Sequence, residues 1–129
     1  MSYYFAKALP GVSFDDAIAR VTAALQQEGF GILTEIDVRA TIKKKLDRDF
    51  RDYRILGACN PSMAWQALQA EGRIGTMLPC NVIVQRRESG DVEVAAVDPV
   101  ASMGAIDNPQ LAATAKDVQL LLREMIGAL

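Results

Sequence analysis

The sequence predicts an α+β fold, a sheet covered by helices, and three observations carry that expectation. Two stretches, near residues 14–28 and from Asn108 onward, repeat apolar residues at the three- and four-residue steps of one buried helical face. Short β-branched runs at 31–36, 53–58, 82–84 and 92–97 are bounded by Gly, Pro, Asn and Asp. Glu88-Ser89-Gly90-Asp91 joins the last two of these runs as a hairpin.

Taken in order, residues 3–9 read as a strand that Pro10-Gly11 turns. Ser13 is placed as a helix N-cap, with Asp15 and Asp16 favouring the positive end of the dipole. Phe14, Ala17, Ile18, Val21, Ala24 and Leu25 then form one apolar face. Gly29 suits the left-handed residue that closes the helix. A second strand, 31–36, leads to Asp37, which caps a helix with Val38, Ile42 and Leu46 on its inner side. The run Lys43-Lys44-Lys45 is expected to be a solvated face neutralised by Asp47, Asp49 and Asp52. A phosphate-binding patch is the other reading.

The strand at 53–58 runs into Asn60-Pro61, a cap followed by a proline at the first helical turn, where its missing N–H costs nothing. Ala64, Ala67 and Leu68 give this helix a small-residue face for close packing, and it should fail near Glu71-Gly72. Strands at 81–87 and 92–97 follow. Apolar residues on both faces near 82–84 and 95–97 point to a sheet covered on both sides there, and Asp98-Pro99 ends the second strand. Asn108-Pro109 starts the last helix, in which Leu111, Ala115, Val118, Leu122, Met125 and Leu129 make a heptad seam that Leu121 and Ile126 broaden. The seam is read as core packing, with a partner chain as the alternative.

Composition narrows the function. The 129 residues are expected to form one domain over 1–129, long enough to bury a core. Net charge −2 argues against a nucleic-acid-binding surface. With no histidine, the commonest general base and metal ligand is absent, and no Ser-His-Asp or Cys-His pair can form. Two cysteines cannot make a Cys-rich zinc site within one chain, and no metal or cofactor is expected. Met1–Lys7 lacks the pattern of a signal peptide, and no apolar run approaches the roughly 20 residues of a membrane span. The expected location is the cytoplasm, where paired cysteines are more often reduced.

Both cysteines lie in related elements, Cys59-Asn60-Pro61 and Pro79-Cys80-Asn81. The first sits at a strand-to-helix junction, where helix N–H groups can lower a thiol pKa. Three readings stand together: small buried residues, a ligand- or partner-binding element, or a redox pair if the Cα atoms lie within about 7 Å. Glu35, Asp37 and Asp98, at or near strand ends, either cap helices and loops or join Cys59, Asn60, Cys80 and Asn81 around a polar ligand. Trp65 is read as core, or else as the wall of an apolar pocket, and Arg54 and Arg73 as surface or salt-bridged.

The segments Gly29–Val38, Tyr53–Pro61, Leu78–Val82 and Val97–Pro99 together resemble the domain of unknown function family 302, and the resemblance runs from Phe14 to the C-terminal helix. It implies a TATA-binding-protein-like fold, β-α-β(4)-α with extra helices, and a tendency to dimerise. It supplies no activity and no catalytic residues. The expected function is a small dimeric binding module for a small molecule or protein partner, without catalysis. The alternative is a thiol-dependent redox or metal-handling protein using Cys59 and Cys80.

Overall fold

In the computed structural model, which describes residues 2–129, local signals in the chain set the element boundaries. Met1, the first residue of the expected 1–129 unit and of the segment read for a signal peptide, lies outside the described residues. Strand β1 (Tyr4–Leu9) turns through Pro10-Gly11 into α1 (Phe14–Gln27). Ser13 Oγ accepts the Asp16 N–H at 3.1 Å, satisfying one of the helix's free amides. At the other end Gly29 takes φ +82°, and Phe30 N–H donates to the Leu25 carbonyl at 2.9 Å. That is the closing bond of a Schellman turn, and it drops the Phe30 ring into the core.

The chain continues as β2 (Gly31–Asp37), α2 (Val38–Leu46), β3 (Tyr53–Cys59) and α3 (Pro61–Ala70). A 3-10 turn (Ile74–Met77) precedes the hairpin β4 (Cys80–Arg86) and β5 (Val92–Val97). A short α4 (Pro99–Ser102) and the long α5 (Pro109–Gly127) complete it. The five strands form one antiparallel sheet in the order β1-β5-β4-β3-β2. The sequence reading ended the strand at Asp98-Pro99 without a helix. Instead Asp98 Oδ1 accepts the N–H groups of Val100 and Ala101 and starts α4, one turn too short to show a period.

One face of the sheet is covered. Leu56, Val82, Val84, Val94 and Ala96 meet Ala17, Val21 and Leu25 of α1 and Val118, Leu122 and Met125 of α5 in the main core. Each large side chain buried there is worth about 1.5–3 kcal/mol of transfer free energy. A second, smaller core gathers Ala67, Ile74, Met103, Leu111 and Ala115 between α3, the 3-10 turn and the first half of α5. The α5 seam therefore lies inside the chain, shared between the two cores.

The expectation of a sheet covered on both sides is met within the chain on one face only, as the register shows. A row of paired residues, Ala6–Ala95–Ile83–Ile55–Ile36, crosses all five strands on the face away from α1 and α5. Beside it Tyr3, Tyr4, Tyr53 and Val97 line an open depression. Of these residues only Val97 also packs against the core beneath the helices. Helix α2 leans on β2 and β3 but buries none of its own residues.

Candidate functional site

Gly57, two residues before Cys59, shows how tightly the end of β3 is held. A Cβ there would sit 2.1 Å from Thr34 Oγ1 and 2.7 Å from Pro79 Cγ, so only glycine lets the three approach. This contact seats Pro79 against β3 and delivers Cys80 to the ladder opposite Ala58, one residue from Cys59. Asn60 then caps α3: its Oδ1 accepts the Met63 N–H at 3.3 Å, and its Nδ2 donates to the Glu28 carbonyl at 3.4 Å. The far end of α3 is tied by Asn108 Nδ2, which donates to the Ala70 carbonyl at 2.7 Å. One asparagine holds each end of the helix.

Between these ties α3 does not close fully on α5. A pocket of about 330 Å³ opens where the two cores meet. Phe30, Ala58, Cys80 and Val118 line it from the main core, and Ala67, Met103, Leu111 and Ala115 from the second. Cys59, Asn60, Met63, Ala64 and Leu68 complete the α3 side, and Leu33, Leu78 and Pro79 the rim. No Asp, Glu, Lys or Arg reaches it. Its buried polar residue is Thr114, whose hydroxyl donates to the Gln110 carbonyl at 3.2 Å and keeps its lone pairs.

The structure thus brings together Cys59, Asn60 and Cys80 of the residues singled out by sequence. The others lie elsewhere. Asn81 is exposed and borders the open sheet face. Glu35 and Asp37 pair with Arg54 at 2.7 and 3.4 Å, and Asp37 also caps α2 through the Ala40 N–H at 2.9 Å. Asp98 caps α4 and accepts Gln119 Nε2 at 3.0 and 3.2 Å. Among the described residues no group of three or more His, Cys, Asp or Glu gathers to hold a metal ion.

Burial, reinforced by the neighbouring Cys59, pushes the Cys80 thiol up to about 11. It is a neutral, weakly polar wall at physiological pH. Free cysteines account for both positions, Cys59 half-buried and Cys80 buried.

Two expectations change. Trp65 is not core: it is 65% exposed and walls a shallow, open groove between α3 and α5, outside the recess that holds the cysteines. Asp52 does not neutralise the lysine run, since it takes Arg39 at 2.8 Å and Arg86 at 3.2 Å, and Arg39 in particular holds its carboxyl below the usual range. Lys43 pairs with Asp47 and Asp49 as expected. Sequence reading missed Phe30, Leu33, Met63, Leu78, Met103 and Thr114 as pocket residues. Their signal was available only as apolar periodicity, which the core explains equally well.

Comparison with known proteins adds lineage. No curated protein matches the chain. A solved structure described as an uncharacterized conserved protein DUF302 from Bacillus stearothermophilus is similar throughout: TM-score 0.91, 26% identity, covering 99% of this chain and 98% of that one. Residues 5–129 match the family described as domain of unknown function DUF302. From β1 to the last turn of α5, the chain belongs to the DUF302 family.

Proposed function

We propose that the chain is a small dimeric binding module that takes a neutral, mostly apolar small molecule between its two cores, without catalysis of its own. The observation that carries this reading is the pocket lining: about 330 Å³ of recess that no charged side chain reaches. The recess opens to solvent, and each Å² of its apolar lining left in water costs about 25 cal/mol. A ligand that fills the gap removes that cost, and the size falls within the range of small-molecule sites.

A thermal-shift panel of neutral apolar compounds tests it. At least one class should raise the unfolding midpoint, because binding to the native state alone stabilises it. Ala64→Leu, which extends a side chain into the recess, should abolish the shift. A panel with no stabilising compound at saturating concentration overturns the reading.

The dimer is proposed through the open sheet face rather than the α5 seam. The cross-strand row runs from alanines on β1 and β5 to isoleucines on β4, β3 and β2. A two-fold axis along the strands sets the large half of one copy over the small half of the other. Five strands by six residues give roughly 400 Å² in projection, apolar along the row and polar at Asn81, Gln85 and Glu93, the size of the largest and often functional patch on a monomer. The TATA-binding-protein-like relationship stays a proposal of the same kind, supported by the element order once α2, α3 and α4 are treated as additions.

Thiol chemistry is the second reading, favoured by the placement of Cys59 and Cys80 one step apart across the β3–β4 ladder. Against it, a Cys80 thiol raised to about 11 is protonated near neutrality and a poor nucleophile. If both thiols resist alkylation until the protein unfolds, this reading fails. The cytoplasm remains the proposed location, a compartment in which two unpaired thiols persist.

A further inference from the structure

The pocket's sulfur content distinguishes it from a general apolar recess. Four of the chain's seven sulfur-bearing residues (five Met, two Cys) line it: Cys59, Met63, Cys80 and Met103. Sulfur is polarisable and contacts aromatic rings more favourably than a methylene does, and methionine adjusts its three torsions to the ring it meets. The remaining wall includes the alanines of α3 and α5, whose short side chains leave the room that the recess occupies. About 330 Å³ is roughly twice the ~150 Å³ cavity that holds one benzene. The Thr114 hydroxyl gives its proton to the Gln110 carbonyl and so offers lone pairs to a donor on the ligand.

We infer that the ligand class is a neutral, planar, two-ring aromatic carrying one hydrogen-bond donor. This rests on the pocket being a ligand site, and it names which ligands that site prefers. Saturated molecules of the same outline gain the same removal from water but no sulfur–ring contact. Anionic and cationic aromatics are excluded, since nothing in the lining neutralises them.

Calorimetric titration with 2-naphthylmethanol and its decahydro analogue isolates the point, because both are aliphatic alcohols of similar donor strength on the same carbon skeleton and differ in the aromaticity of the rings. The expected result is tighter binding of 2-naphthylmethanol, by about tenfold for two or three sulfur–ring contacts. The volume-conserving pair Met63→Leu and Met103→Leu should bring the ratio to within about twofold while both alcohols still bind. Thr114→Val should weaken both alcohols and leave their ratio unchanged; if it weakens neither, the donor part of the inference is wrong. Equal binding of the two alcohols to the unaltered protein overturns the aromatic preference and leaves the pocket reading standing. Binding of neither, together with an empty thermal-shift panel, removes both.

Discussion

Burial pushes the Cys80 thiol from an ordinary 9.0 up to about 11, and the nearby Cys59 adds to the rise. The folded protein therefore holds this proton where the unfolded chain releases it. Below pH 9 both states are protonated and the group leaves stability unchanged. Between pH 9 and pH 11 the unfolded state gains by ionising and the folded state does not, so stability falls by about 1.4 kcal/mol per pH unit. Denaturant titrations of the parent and of Cys80→Ala across that window should show the extra slope in the parent alone. Equal slopes would mean that the thiol is more solvated than its place opposite Ala58 implies. Gly57 carries a complementary lesson at the same scale, since its missing side chain brings Pro79, and with it Cys80, against β3.

Helix α3 is held at its ends more than along its length. It packs on α5, only Ala67 is buried, and the pocket opens beside it. Asn108 should matter most. Its Oδ1 accepts the Gln110 and Leu111 N–H groups at 3.1 Å each while Nδ2 reaches the Ala70 carbonyl. Asn108→Ala removes a cap worth about 1 kcal/mol and a tether of similar size, so about 2 kcal/mol is expected in equilibrium denaturation. Asn108→Asp keeps the cap but loses the tether, and should fall between the two. If Asn108→Asp matches the parent, the tie to α3 is not holding the helix. The caps themselves were legible in the sequence: Ser13, Asn60 and Asn108 announce α1, α3 and α5, and Gly29 ends the first. What α3's alanines do was not legible. Ala64 and Ala67 read equally as close packing or as a gap, and the choice depends on where Asn60 and Asn108 pin the helix. The meeting of Cys59 with Cys80 depends likewise on a register set by residues some twenty positions apart. Asp37 was legible as the cap of α2, whereas the Arg54 partner of Glu35 and Asp37 and the Gln119 partner of Asp98 were displayed by no pattern in the sequence.

At the scale of the whole molecule, apolar residues on both faces of β4 and β5 admit two solutions, helices on both sides or helices on one and another chain on the other. The helices α1 and α5 settle on one side, leaving Ala6, Ala95, Ile83, Ile55 and Ile36 in a row on the other. The carboxylate on that face, Glu93, is engaged by Gln85 at 3.0 Å and Arg87 at 3.4 Å, so little charge there opposes a second copy. Sedimentation should find a dimer at micromolar concentration. Ile83→Asp sets a carboxylate at the centre of the row, where two-fold symmetry brings it near its own copy or into apolar surroundings, and burying it unpaired costs several kcal/mol. That variant should sediment as a monomer, retain the parent's circular dichroism, and still bind in the pocket, which lies on the helical side of the sheet. Leu120→Asp, at the large apolar residue exposed on α5, should leave the dimer intact. The reverse pattern, with Leu120→Asp dissociating the dimer and Ile83→Asp leaving it whole, moves the interface to α5, and a parent that sediments as a monomer removes it.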